Sequence, residues 1–230
     1  MGCFVNSNDV SSRKKKAPIS RQIICVAALM AIIALAVFWY VRFPRLSIPN
    51  LGENPKQRAA HIASSWKNGN VIVFIRHAER CDRSETPCMN DPDGITARGR
   101  DQAISIGKAF EKLDIQRVDV FTSPSTRTKQ TAAYLFKAAA TESELLTQCK
   151  TITFDEVANS KTVGRNLVLV THDHCIERLE QLINIKEYKE TTYSSLLFVS
   201  LDEKSKAPIA AELIDATKFL NEFASAEQAP

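Results

Sequence analysis

Residues 71–88 read VIVFIRHAERCDRSETPC. Five unbroken apolar residues, Val71 to Ile75, run directly into Arg76 and His77, with Arg80 and Arg83 following inside a short Cys81 to Cys88 span. A continuous apolar run, as opposed to an alternating one, marks a strand buried on both faces, the kind found in the parallel sheets of α/β proteins. The pattern returns at Asn166–Val170, NLVLV, which runs into Thr171, His172, Asp173 and His174.

The rest of the chain beyond residue 55 alternates to match. Strands are predicted over Asn70–Ile75, Arg117–Phe121, Asn166–Val170, Ser195–Ser200 and Ile209–Ile214. Helices are predicted over Lys56–Lys67, Thr96–Leu113, Pro124–Ala139 with Ser123 as N-cap, and about His174–Asn184. This alternation predicts an α/β fold, a three-layer sandwich on a mostly parallel central sheet. No internal repeat or low-complexity tract is visible.

Residues 1–55 read differently. Ile23–Val41 is an apolar run of 19 residues, long enough as a helix to cross a bilayer once, with Trp39 and Tyr40 at its far end. The RKKK cluster at 13–16 and Arg21 precede it, and only Arg42 and Arg45 follow. The positive-inside bias therefore predicts a cytoplasmic basic tail (1–21), a transmembrane signal-anchor (22–42), a proline-rich linker (43–55) and an exported domain (56–230). In a bacterium this is a single pass of the inner membrane with the domain in the periplasm. A cleaved signal peptide is the rival reading, disfavoured by the length of the run and by the lack of an A-x-A site. The MGC start does not fit the myristoylation pattern and reads as a solvated tail.

The net charge of +4 belongs to this segment. Removing residues 1–45 leaves 23 basic against 25 acidic residues, so a nucleic-acid partner is not expected. Cys81, Cys88, Cys149 and Cys175 lie in the domain, an even number suited to two disulfides in an oxidising compartment, with three possible pairings. A Cys81–Cys88 bridge would stiffen the loop behind His77. The four have no spacing familiar from zinc sites.

Ligands of open α/β sheets bind at the carboxyl ends of the strands, and there the chemistry collects. One strand delivers Arg76 and His77, a second delivers Arg127, and a third delivers His172 and Asp173. Guanidinium groups hold phosphate oxygens bidentately, and a neutral imidazole is a nucleophile. So many cations oppose a divalent metal, and no cofactor is expected.

Four stretches in order, FIRHAER, GITARGRDQA, TSPSTRTKQTA and VLVTHDH, resemble the motifs of the histidine phosphatase superfamily, which includes the phosphoglycerate mutases and acid phosphatases. RHAERCDRS with its second cysteine, GIT, the Leu146–Cys149 segment and THDHC are also similar to the bacterial lipopolysaccharide core heptose phosphate phosphatases. The resemblance implies a phosphoglycerate mutase-like fold and a phosphomonoesterase with a phosphohistidine intermediate on His77. Arg76, Arg127 and His172 would grip the phosphoryl oxygens. Asp173 would be the proton donor, with Asp155, Glu156 and Glu79 as rivals. Arg80, Arg83 and Glu79 are candidate substrate-binding residues, for a phosphorylated small molecule or glycan. The alternative function is a non-catalytic module that holds phosphoglycans or phosphopeptides in the same pocket. A mutase is disfavoured, because an exported domain would not meet the cytosolic bisphosphorylated primer.

Overall fold

The computed structural model describes residues 21–42, 48–52, 54–113, 115–138, 140–185 and 190–225. The chain divides into two compact units, 1–45 and 46–230. In the first, Arg21–Arg42 form a 22-residue α-helix, α1. Its described side chains, within 26–38, are exposed, among them Val26, Leu29, Met30, Ile32, Ile33, Leu35, Val37 and Phe38. Among the described residues, no helix is long and apolar enough to cross a membrane. The anchor expected at 22–42 therefore remains a reading of the sequence. The expected tail and the first part of the linker, 1–20 and 43–47, lie outside the described residues.

In the second unit, six strands form one sheet: β1 (Val71–Arg76), β2 (Val118–Thr122), β3 (Thr141–Glu142), β4 (Asn166–Thr171), β5 (Leu196–Leu201) and β6 (Pro208–Ile214), in the order β3-β2-β4-β1-β5-β6. The β3, β2, β4 and β1 ladders are parallel, whereas β5 pairs antiparallel with β1 and β6 antiparallel with β5. The sheet is therefore mixed, parallel through the four strands that carry the motifs and antiparallel at one flank. The connection accounts for the outer pair: β5 and β6 are joined by a tight turn at 202–207, in which Asp202 accepts from the Lys204 and Ser205 amides, and a short hairpin can only reverse the chain.

Helices cover both faces: α2 (Pro55–Lys67), α3 (Ala97–Glu111), α4 (Thr126–Phe136), α5 (Phe154–Ser160), α6 (Asp173–Leu182) and α7 (Ala216–Ser225). Alternate strand residues feed two separate cores. Val71, Val73, Ile75, Val168, Val170, Leu196 and Phe198 pack with Ile62, Trp66, Ile106, Phe110 and Phe219. Ile72, Phe74, Leu167, Leu169, Leu197 and Val199 pack on the other side with Leu146, Ile152, Val157, Ile176 and Leu179. This is why the runs of β1 and β4 are apolar without alternation, and it gives the three-layer sandwich.

Two local features set the helices. At Gly107 a Cβ would sit 2.1 Å from the Leu135 carbonyl oxygen, so only glycine lets α3 approach α4 this closely. Arg58, 4% exposed, is clasped by Glu212 at 3.0 Å and Glu222 at 2.6 Å, which ties α2 to β6 and α7 through a buried ion triad. The expected bounds and N-cap of α4 are corrected. α4 begins at Thr126 with Ser125 as N-cap, which frees Ser123 for another task, and it ends at Phe136, where Lys137 turns left-handed at φ 53°. The short β3, α5 and α7 were not expected; α5 opens with a capping box between Thr153 and Glu156.

Candidate active site

The parallel strands end on one edge of the sheet, and the motif residues meet there. His77 follows β1 and is 3% exposed, and His172 follows β4 at 6%. Their rings lie 5.5 Å apart between centroids, edge to face. The backbone aligns them directly, since the His77 amide donates to the Thr171 carbonyl at 2.9 Å.

His77 Nδ1 lies 2.8 Å from the Ala78 carbonyl oxygen. A carbonyl can only accept, so Nδ1 carries the proton, and in the neutral ring the lone pair sits on Nε2. The ring is neutral over the ordinary range: burial pushes its pKa down to about 3, opposed by the Ala78 carbonyl and helped by His172, Arg127 and Arg76. His172 is pushed down to about 4, first by burial and then by the Arg127 charge. Its Nε2 lies 3.0 Å from Ser123 Oγ, and Thr128 Oγ1 lies 3.0 Å from the same hydroxyl.

Arg76 is fixed on three sides. Nη1 donates to the Thr191 carbonyl at 2.5 Å, Nη2 pairs with Asp173 at 3.0 Å, and the guanidinium carbon stands 4.5 Å over the Tyr193 ring. Arg127 enters from the second residue of α4. Its backbone carbonyl accepts from Thr131 Oγ1 at 2.6 Å, and the same hydroxyl accepts the Ala78 amide at 3.0 Å, so one threonine couples Arg127 to the His77 loop. Its Nε is buried without a protein partner among the described residues. Its pKa is lowered by burial and by the neighbouring Arg80 charge, opposed by several carboxylates. Such a cation gains strongly from an anion.

The other predicted residues divide. Asp173, the first residue of α6, is part of the cluster. Burial alone would raise its pKa, but the His174 amide and Arg76 outweigh it and hold the carboxyl below its usual range. Arg80 points into the same field and is clamped by Asp82. Arg83 ends a short 3-10 helix, Cys81–Arg83, and is exposed. Glu79 is committed elsewhere: its two oxygens receive Ser84 Oγ at 3.0 Å, Thr96 Oγ1 at 2.7 Å, and Arg98 through Nε at 2.9 Å and through Nη2. Four donors fill a carboxylate, so Glu79 acts as a brace and not as a substrate ligand. The Arg98 contacts foremost, with those of Thr96 and Ser84, bring its pKa down to about 2 against burial. Gly99 serves the same junction, since a Cβ there would meet the Glu79 amide nitrogen at 2.9 Å. Glu156 is engaged in the capping box of α5, and Asp155 is exposed.

Ser123, Thr128, Thr131, Thr191 and Tyr193 were not foreseen as site residues. The first three sit inside TSPSTRTKQTA, where several hydroxyls around Arg127 are the available signal. TTYSS, residues 191–195, carries no signal, because its role follows from the antiparallel placement of β5. There Ser194, left-handed at φ 60°, sends its amide to the His77 carbonyl at 3.3 Å.

The domain cysteines pair as Cys81–Cys88 and Cys149–Cys175, with Cα separations of 5.3 and 4.9 Å. The first closes the loop behind His77 as expected. The second ties residue 149 to α6, beside His174. Cys149, Cys175 and His174 form a potential metal-ligand group, but two of its three donors are spent on the disulfide.

Acidification tests the buried histidines. Both have folded pKa values below the unfolded value, so the unfolded chain binds more protons between about pH 4 and pH 6.5, and stability falls as pH drops through that window. Chemical denaturation of wild type and His172→Gln at pH 7 and pH 5 is expected to show a smaller acid loss in the variant. An equal loss would mean that His172 is not held neutral.

Residues 72–162 match the profile of the histidine phosphatase superfamily, branch 1. A lipopolysaccharide core heptose(II)-phosphate phosphatase of Salmonella paratyphi B is 34% identical over 125 residues, 53% of this chain and 62% of that protein. One from Escherichia coli O7:K1 is 40% identical over 110 residues, 46% of this chain and 54% of that protein. The matches thus span little more than half the length of these relatives. Among solved structures, the phosphoglycerate mutase from Bacillus anthracis str. Sterne aligns over 70% of this chain and 99% of its own, with a TM-score of 0.49 and 12% identity.

Proposed function

We propose that this histidine phosphatase domain is a phosphomonoesterase working through a phosphohistidine on His77, on phosphorylated sugars of the lipopolysaccharide core. The observation that carries the reading is a neutral, buried His77 with its lone pair on Nε2, set among Arg76, Arg127 and His172. In this mechanism Nε2 attacks phosphorus, the P–O bond to the sugar breaks, and the alkoxide takes a proton from Asp173. Water then attacks phosphorus as the P–N bond breaks and its electron pair returns to Nε2, inorganic phosphate leaves, and the proton that the water loses restores the acid form of Asp173. Arg76, Arg127 and His172 meet the equatorial oxygens, where charge spreads in the transition state. Arg80 and Arg83 add positive charge at the rim, suited to a multiply phosphorylated glycan.

The sugar assignment rests on the named relatives. The 19-residue apolar run supports a single-pass anchor in the inner membrane, and two disulfides suit a periplasmic domain. The cationic pocket favours chemistry without a divalent metal. The test is phosphate release by the full chain, with chelator present, from an aryl phosphate and from phosphorylated lipopolysaccharide core. Release from both is expected. Dependence on added metal would overturn the mechanism, and release from the aryl ester alone would overturn the sugar assignment.

A further inference from the structure

Two imidazoles meet at the phosphoryl pocket, and the proton of each has a definite place. On His77 it lies on Nδ1, toward the Ala78 carbonyl at 2.8 Å, and the lone pair is on Nε2. On His172 the place is set from further away, by Ser123 and Ser125 between β2 and α4 and by Thr128 in the first turn of α4. Ser123 is fully buried, and its amide, bonded to the Val170 carbonyl at 3.1 Å, fixes it against β4.

Each hydroxyl has one proton to give, which orients the whole chain of bonds. Thr128 Oγ1 stands 2.8 Å from both the Ser123 and the Ser125 carbonyl oxygens. Carbonyls only accept, so the Thr128 proton lies toward them and its oxygen is left to accept. It receives Ser125 Oγ at 2.8 Å and Ser123 Oγ at 3.0 Å. The single Ser123 proton is then spent on Thr128. At 3.0 Å from His172 Nε2, the Ser123 oxygen must therefore take a proton from the ring. Neutral His172 carries its proton on Nε2 and its lone pair on Nδ1. Nδ1 makes no hydrogen bond among the described residues, so it is the nitrogen left to meet a ligand.

A lone pair repels a bare phosphoryl oxygen and accepts from a protonated one. Around the ring, Arg127 on α4, Arg80 after β1 and His174 on α6 oppose a positive charge, Asp173 alone favours one, and His77, 5.5 Å away, is neutral. The proton thus stays on the ligand oxygen. We infer that Ser123 is a positioning residue that holds His172 in the tautomer opposite to that of His77, and that the pocket in consequence takes a phosphoryl group in its singly protonated form, with the P–O–H directed at His172 Nδ1. The inference deepens the phosphatase reading and rests on it for the ligand, whereas the tautomers are read without turnover.

The full chain is isotope-labelled at its histidine nitrogens and the rings are read by NMR at pH 7, with His77→Ala and His172→Gln to assign the two signals. Wild type is expected to show His172 with a protonated Nε2 and a bare Nδ1, and His77 the reverse. Ser123→Ala removes the acceptor of the Nε2 proton, and Thr128→Val frees the Ser123 proton to turn onto Nε2. Both are expected to admit the Nδ1-protonated form of His172, and Ser123→Ala to lose about tenfold in kcat/KM on an aryl ester. Inorganic phosphate is then titrated into wild type by calorimetry at pH 8, where the free ligand is the dianion, in two buffers of different ionisation heat. Uptake of about one proton per phosphate bound is expected, and its loss in His172→Gln. A bare Nε2 on wild-type His172, a tautomer that both substitutions leave unchanged, or phosphate binding without proton uptake would overturn the inference. A chain with these tautomers that releases no phosphate from the aryl ester would overturn the phosphatase reading and leave the tautomers standing.

Discussion

His77→Ala is expected to lower phosphate release by at least about 1,000-fold while the domain stays folded. The size follows from the role: without Nε2 no covalent intermediate forms, and the remaining cations bind the phosphoryl group without offering it an acceptor. The fold is expected to persist, because the backbone around His77 is held by bonds that the substitution leaves in place. These are His77 amide to Thr171 carbonyl, Ala78 amide to Thr131 Oγ1, and Ser194 amide to His77 carbonyl. A pH profile adds a signature that simple loss of packing would not produce. Burial holds His77 neutral down to about pH 3 and His172 to about pH 4, so wild-type kcat/KM on an aryl ester shows no histidine limb near pH 6.5. Near-ultraviolet circular dichroism checks the fold of the variant. Residual activity within tenfold of wild type would place the nucleophile elsewhere.

The parts of this site that could be read from the sequence share one property: they are local. VIVFI and NLVLV announce doubly buried strands because each residue has a core partner on its own face of the sheet, and the side chains that follow must then emerge at the strand ends. Arg76, His77 and His172 were therefore legible. Arg127 was legible through its motif, although its helix begins two residues later than Pro124, since Ser123 binds His172 in place of capping α4. What stayed hidden depends on partners far along the chain. Glu79 reads as a pocket residue until Arg98, on the next helix, is seen to occupy it. Tyr193 has meaning only because β5 returns antiparallel beside β1 and sets residue 193 against Arg76. The two-residue β3 and the seven-residue α5 are too short to show a period, although the Thr153 to Glu156 capping box was present as a signal for α5.

Asp173→Asn separates the acid from the grip, and its expected effect depends on the leaving group. On a sugar phosphate, whose alkoxide must be protonated as it departs, the loss is expected to be about 100-fold or more. On an aryl phosphate with a nitro-substituted phenol, which leaves without a proton, the change is expected to stay within about threefold. The pH dependence has a definite sign. Asp173 is held below the ordinary carboxyl range, so its protonated, donating fraction grows as pH falls, while His77 stays neutral and nucleophilic. The ratio of wild type to Asp173→Asn on the sugar phosphate should therefore rise on acidification, and the ionisation of the substrate cancels in that ratio. The ion pair with Arg76 contributes to this depression, and a bound phosphoryl group that draws on Arg76 would relax it, which makes the carboxyl a better acid when substrate is present. Glu156 is less suited, because Thr153 binds its carboxylate twice at the start of α5. Equal losses on both substrates would make Asp173 a positioning partner of Arg76, and a leaving-group-dependent loss in Asp155→Asn would move the acid to α5.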